Sequence, residues 1–189
     1  MGQFQATSGD EPVPGYNEIL LKLTAVVLGG HPQVRSTWTE SGVQGPAENA
    51  AIDIGLAVDT EAGLVVPVVR DPAGTSLKSL RQTVTDLADR ARSRQLAAAE
   101  MSGGVFTITN LGGHGIDAFT PILNLPQAAI LGIGRIREVL VVRGEEIVPG
   151  EEIALSLTFD HRVLDGAPAA TFLAELVRGI ENPGAMLAR

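Results

Sequence analysis

The sequence predicts an α+β domain, a mixed sheet covered by helices. Three observations carry that expectation. Some stretches repeat apolar residues at helical spacing, and several shorter ones alternate apolar with polar or small residues. The order of the two kinds is not a regular strand–helix–strand array. At 189 residues the chain is long enough for one domain with a sizeable core.

The first helix is expected from about Tyr16 to Leu28, where Ile19, Leu20, Leu23, Val26 and Val27 recur at helical spacing, and "GGHP" stops it. Residues 1–15 ahead of it are polar and rich in Gly and Pro, and read as an arm or a loop remnant. Ile52, Ile54, Leu56 and Val58 alternate strictly, as in a half-buried strand. "EAG" turns the chain, and "LVVPVVR" returns as the second strand of a hairpin, with Pro67 marking an edge or a bulge. Ser76 is placed to cap a helix from about Leu77 to Arg94. Leu77, Leu80, Val84, Leu87 and Ala91 form its inner stripe, and Lys78, Arg81, Asp86, Asp89 and Arg90 its solvated face.

"GGVFTITN" reads as a strand that leads into the glycine-rich loop "LGGHGIDAFTP". "AAILGIGR", "EVLVVR" and "EIALSLTF" are three more strands, the last alternating through Ile153, Leu155, Leu157 and Phe159. A final helix from about Ala167 to Ile180 is expected to bury Phe172, Leu173, Leu176, Val177 and Ile180, and "NPG" ends it.

Composition narrows the function classes. A net charge of −8 argues against nucleic acid, which needs a basic footprint. No apolar run approaches the roughly 20 residues needed to span a bilayer, and the first ten residues have no secretory leader pattern. The absence of cysteine removes disulfides, thiolate metal sites and a cysteine nucleophile. Nothing points out of the cytoplasm. Apolar residues make up 44% against 19% charged, so some apolar surface is expected to be covered by other subunits.

Among candidate sites, "GIGRIR" lacks the third glycine of a dinucleotide fingerprint, and "LGGHGID" lacks the Lys-Ser/Thr of a phosphate-cradling loop. His31 reads as a surface residue at a helix end, and His114 as a solvated loop residue. His161, in "FDHRVLDGAP", stands at a strand-to-helix junction, a rigid platform that can lock a rotamer. Asp165 follows near the start of the next helix, where the dipole favours a carboxylate. From spacing alone, the pair is either a satisfied junction residue with its helix cap or a proton carrier with its partner. A metal site is disfavoured, since no second ligand stands at suitable spacing.

"DHRVLDGAPAATFLAEL" resembles the His-x-x-x-Asp-Gly signature of the dihydrolipoamide acyltransferases, the core components of 2-oxo acid dehydrogenase complexes. "IDIGLAVDTEAGLVVPVVR", "GGVFTITNLGGHGIDAFTPILNLPQAAILGIGRI" and "ALSLTFDHRVLDGA" resemble that family in its order and spacing, from about Tyr16 to the C-terminus. The resemblance implies a two-layer fold like that of chloramphenicol acetyltransferase over residues 16–189, and transfer of an acyl group between dihydrolipoamide and coenzyme A. It implies His161 as general base, Thr109 as the hydroxyl that stabilises the oxyanion, and Asp165 as a positioning group. Asn110 would line the same groove, and Asp59 and Gly134 would contact coenzyme A. The active site would lie between subunits of a homotrimer, with His161 and Thr109 facing each other across the boundary. Such trimers build cubic 24-subunit or dodecahedral 60-subunit shells in the family. These shells work with 2-oxo acid decarboxylase and dihydrolipoamide dehydrogenase partners.

The chain also departs from the family pattern. The lipoyl and peripheral-subunit-binding domains are absent from these residues, as is the opening Arg-containing helix and strand, which suggests a truncated core. The lipoyl group would thus be carried on a domain outside this chain. Asn124-Leu125-Pro126 replaces Asn-Pro-Pro, and Gly15 stands where some relatives place a serine. The "TNLGG" wording leans toward the pyruvate and branched-chain types. Competing readings are a non-catalytic scaffold core and a small-molecule O-acetyltransferase.

Overall fold

The computed structural model describes residues 15–187. Of the arm expected over residues 1–15, residues 1–14 lie outside the described residues. Helix α1 (Tyr16–Gly29) leads through a 3-10 turn (Pro32–Arg35) to the hairpin β1 (Thr37–Thr39) and β2 (Gly42–Gln44). Then come β3 (Ile54–Leu56), β4 (Val58–Thr60), β5 (Gly63–Val65), β6 (Val68–Val69) and α2 (Leu77–Arg92). The second half holds β7 (Phe106–Asn110), β8 (Ala129–Arg143), β9 (Glu146–Phe159), α3 (Gly166–Glu181) and the short α4 (Pro183–Leu187).

The main sheet has the order β6-β3-β7-β8-β9, and β3, β7 and β8 run parallel while β6 and β9 run antiparallel to their neighbours. Register and strand alternation fix which residues share a face. Ile54, Phe106, Ala129 and Phe159 form one cross-sheet row, and Leu56, Ile108, Leu131 and Leu157 the next. These rows join Leu23, Leu28, Leu80, Val84, Phe172 and Leu176 of the helices in a single apolar core. Phe106 and Phe172 meet edge to face across it at 5.6 Å, a favoured aromatic arrangement. The α+β class expected from the sequence is thus what the residues build.

The opposite face carries Thr109, Gly132 and Ser156 side by side in one row. The segment after β7 folds back over it. A Cβ on Gly132 would touch Phe119 and Pro121 at 3.1 Å, and one on Gly134 would sit 1.7 Å from the Asp117 carbonyl oxygen. Only glycine admits so close a backbone approach.

Several boundaries differ from expectation. The hairpin β1–β2 was not foreseen, because three-residue strands carry no measurable period. The alternating run 52–58 is split at Ala57 into β3 and β4, which join different sheets, and all of β3 is buried on both faces. Pro67 does mark an edge: it separates β5 from β6, the outer strand of the main sheet. Helix α2 stops at Arg92, since Arg94 takes a positive φ of 58°. The two strands expected over 128–143 are one, joined through a bulge between Ile133 and Ile136, and β9 begins at Glu146, well before "EIALSLTF". "NPG" does end α3, but the chain re-enters a helix at Pro183. Val177 is not buried: it is exposed beside the β8–β9 arm. His31 is not a free surface residue either. Its Nε2 lies 2.8 Å from Glu175 Oε2 and its ring meets Phe172, so it ties the 3-10 turn to α3.

Candidate active site

The turn that presents His161 is built from Asp160. Its N–H donates to the Ala128 carbonyl at 2.8 Å, which fastens the end of β9 to the start of β8. Its own carbonyl accepts the N–H groups of Val163 and Leu164, and Leu164 is buried as the anchor of the turn. Helix α3 then starts with Asp165 at the N-cap, where the Asp165 side chain makes no capping hydrogen bond. Its carboxylate is instead near the imidazole: His161 Nδ1 lies 3.5 Å from Asp165 Oδ1. That is a charge contact, longer than a strong hydrogen bond. The His161 ring also packs against Phe159 at 5.6 Å. Both site side chains stand open, 72% and 82% exposed. With Nδ1 turned toward the carboxylate, Nε2 is the nitrogen left to meet a reacting group.

Thr109 lies at the far end of the sheet. It is half-buried on the face away from the helices, opposite Gly132, and its hydroxyl has no partner among the described residues. Its neighbour Thr107 is engaged, donating to Gln127 at 2.6 Å and accepting from Asn124 at 3.2 Å. From the Thr109–Gly132–Ser156 row to Phe159 is three residues along and two strands across. At ordinary strand rise and spacing that is roughly 14 Å, and His161 lies beyond it. A reacting atom must sit about 3 Å from both base and oxyanion donor. One chain therefore does not bring His161 and Thr109 to one site.

Asn110 alternates to the helix side of β7, away from the Thr109 hydroxyl. Its Nδ2 donates to Asn17 of α1 at 2.7 Å and its Oδ1 accepts the Gly112 N–H at 2.8 Å, so it closes the turn after β7. Gly134 is occupied by the returning loop: Asp117 packs on its α-carbon and ion-pairs with Arg135 and Arg137. Asp59 is exposed on the β4–β5 hairpin, at the Thr109 end of the sheet. The six residues thus fall into two groups, His161 with Asp165 at one end and the rest toward the other.

Sequence reasoning passed over Arg162, though it sits inside the "DHR" signature. Its guanidinium clamps Asp160 (2.6 Å from Nη2 to Oδ2) and stacks on Trp38. The Arg162 guanidinium, donating to Asp160, holds that carboxyl below its ordinary range. An acid and an arginine flanking a candidate base, together with the single tryptophan of the chain, were the available signal. No cluster of three or more potential metal ligands occurs among the described residues, and no helix there is long and apolar enough to cross a membrane.

Residues 4–188 match the 2-oxoacid dehydrogenases acyltransferase (catalytic domain) family, and the chain belongs to it. The chain is 41% identical over 166 residues to a dihydrolipoyllysine-residue acetyltransferase component of the acetoin cleaving system of Bacillus subtilis (strain 168), covering 88% of this chain and 41% of the relative. It is 37% identical over 187 residues to a probable succinyltransferase component of the 2-oxoglutarate dehydrogenase complex of Schizosaccharomyces pombe, covering 91% of this chain and 41% of that protein. The chain thus spans about two fifths of the length of these curated relatives.

Among solved structures, the dihydrolipoamide acetyltransferase of Azotobacter vinelandii superposes with a TM-score of 0.87 at 37% identity, over 93% of this chain and 72% of that one. That enzyme was studied for the roles of a serine, a histidine and an asparagine in its catalytic mechanism, the serine 52 positions before the histidine and the asparagine four after it. Thr109 and Asp165 stand at the same offsets from His161. The cubic core of a pyruvate dehydrogenase multienzyme complex matches with a TM-score of 0.88 at 39% identity, over 93% of this chain and 72% of that one.

Proposed function

We propose that this chain transfers an acyl group between the thiols of dihydrolipoamide and coenzyme A, at a site completed by two copies of the chain. The observation that carries the reading is the pairing of an open imidazole–carboxylate turn with an unengaged Thr109 hydroxyl at the far end of the same sheet. Each half is prepared for chemistry and neither is sufficient alone.

His161 Nε2 takes the proton of the coenzyme A thiol, because a free thiol is mostly protonated at neutral pH and only the thiolate attacks. The sulfur attacks the thioester carbonyl of acyl-dihydrolipoamide, and negative charge collects on the carbonyl oxygen. Thr109 of a neighbouring copy donates its hydroxyl there, an interaction worth about 3–4 kcal/mol. The carbon–sulfur bond to lipoamide then breaks, and the departing sulfur recovers the proton from the imidazolium. Asp165, beside Nδ1, orients the ring. Asp59 is the coenzyme A contact on the hairpin, while Asn110 and Gly134 serve by holding the loop in place.

The assembly is a homotrimer or a 24- or 60-subunit shell built of trimers. It acts in the cytoplasm with a 2-oxo acid decarboxylase, a dihydrolipoamide dehydrogenase and a lipoyl group carried on a separate domain. The acetyl and branched-chain types are favoured by "TNLGG", though the relatives include a succinyltransferase.

The test is to supply acetyl-, isobutyryl- and succinyl-coenzyme A with dihydrolipoamide. One or more should be turned over, and His161→Ala should reduce that rate by about 10²–10⁴-fold, the usual contribution of a general base. A well-folded oligomer that accepts none of the three is a scaffold.

A further inference from the structure

We propose that Trp38 and Arg162 are positioning residues for His161: the indole holds the guanidinium, the guanidinium holds Asp160, and Asp160 fixes the turn that carries the imidazole. This rests on His161 being the base, as argued above.

Arg162 Nε lies 3.0 and 3.2 Å from the two Asp160 carboxylate oxygens, and its backbone N–H donates to Oδ1 at 3.0 Å. The Asp160 side chain is only 11% exposed while that of Arg162 is 57% exposed, so the pair has one shielded partner and one that faces solvent. The guanidinium carbon also stands 4.8 Å from the centroid of the Trp38 ring, within cation–π reach. Trp38 is 39% exposed and is held through its backbone. It occupies the middle of β1, and Thr37 beside it bridges to Gln127. Gln127 is buried, bonded to Thr107 and Gly104, and the next residue, Ala128, accepts the Asp160 N–H. The hairpin therefore reaches the turn twice, once through backbone and once through the stacked arginine.

The imidazole has little other support. It is mostly exposed, with Phe159 on one side and Asp165 in a long contact on the other. Its direction is inherited from the turn. A planar guanidinium can lie over an indole while its in-plane N–H fork grips both oxygens of a carboxylate, a bidentate, stacked geometry that a point-like ammonium does not reproduce. Displacing a catalytic group by about 1 Å costs on the order of 10²-fold in rate, so loosening the brace should cost about tenfold.

The experiment uses the full-chain assembly with Trp38→Ala, Trp38→Phe and Arg162→Lys. It measures kcat and KM for acetyl exchange, and the rate at which diethyl pyrocarbonate labels His161, with exposed His114 as internal reference. Trp38→Ala and Arg162→Lys should lower kcat about tenfold with KM nearly constant, and alter the His161 labelling rate, while Trp38→Phe keeps most of both. Folded variants with wild-type kcat and unaltered labelling would overturn the proposal, leaving the stack a staple for the hairpin. If Trp38→Ala does not fold, Arg162→Lys decides by the same two readouts. Should His161→Ala leave exchange intact, the base assignment fails on its own. The labelling rates then still decide whether the brace orients the ring.

Discussion

Thr109 and Thr107 occupy the same face of β7 two residues apart, and their hydroxyls have opposite fates. Thr107 is bonded to Gln127 and Asn124 inside the protein, whereas Thr109 is half-buried with its hydroxyl unpartnered among the described residues. Removing Thr109's oxygen should therefore cost turnover and little stability. Thr109→Ala is expected to lower kcat by about 10²–10³-fold, with Thr109→Ser retaining most of it, as steady-state kinetics will show. Asp160 invites a different measurement. Because Arg162 donates to it, its carboxyl titrates below its ordinary value of 3.8 in the folded chain. A depressed folded value means the contribution is complete above the unfolded value and disappears as pH falls through the folded one. The melting temperature of Asp160→Asn should thus lie below wild type at neutral pH, and the gap should close as pH drops below about 3.8. A gap that persists into stronger acid would show that the carboxylate charge is not what secures the turn.

At the level of elements, the loop between β7 and β8 depends on what β8 lacks. The Asp117 carbonyl lies where a side chain on Gly134 would begin, and Arg135 and Arg137 hold the Asp117 carboxylate. Gly134→Ala should lift the loop off the strand. Limited proteolysis should then cut within residues 111–121, while the helices, packed on the other face, keep their circular dichroism signal. The long periodic elements were legible because a buried face imposes a period. Leu80, Val84, Leu87 and Ala91 of α2 are buried as the spacing requires. The single strand β8 was not, since its bulge shifts the alternation between Ile133 and Ile136, and the phase change reads as a break. The candidate site was legible only in its motifs. His161, Asp165 and Thr109 sit in recognisable stretches, but the Trp38–Arg162 stack joins distant segments, one of which had no periodic signal at all. The loop-facing role of Gly134 was equally out of reach, because the atoms that crowd it come from a segment without regular structure.

For the whole molecule, the separation of His161 from Thr109 leads to a test that needs no structure of the assembly. If each site takes its base from one copy and its oxyanion donor from another, then a His161→Ala chain still carries an intact Thr109 half. A Thr109→Ala chain likewise carries an intact His161 half. Unfolding and refolding the two variants together in equal amounts allows copies to mix at random. A given site then has both native halves in about one case in four, so close to a quarter of wild-type turnover should return from two nearly inactive parents. The same parents refolded apart and then combined should stay inactive, unless copies exchange. A site confined to one chain predicts the reverse, because no mixture of copies can repair a base and a hydroxyl that belong to the same polypeptide. The sheet register already makes the single-chain alternative costly. It would require roughly 14 Å of strand and neighbouring backbone to be crossed without disturbing the hydrogen-bonded ladder between β7, β8 and β9. Recovered turnover in the mixture, and its absence in the separately refolded control, would place the reaction at the meeting of two copies.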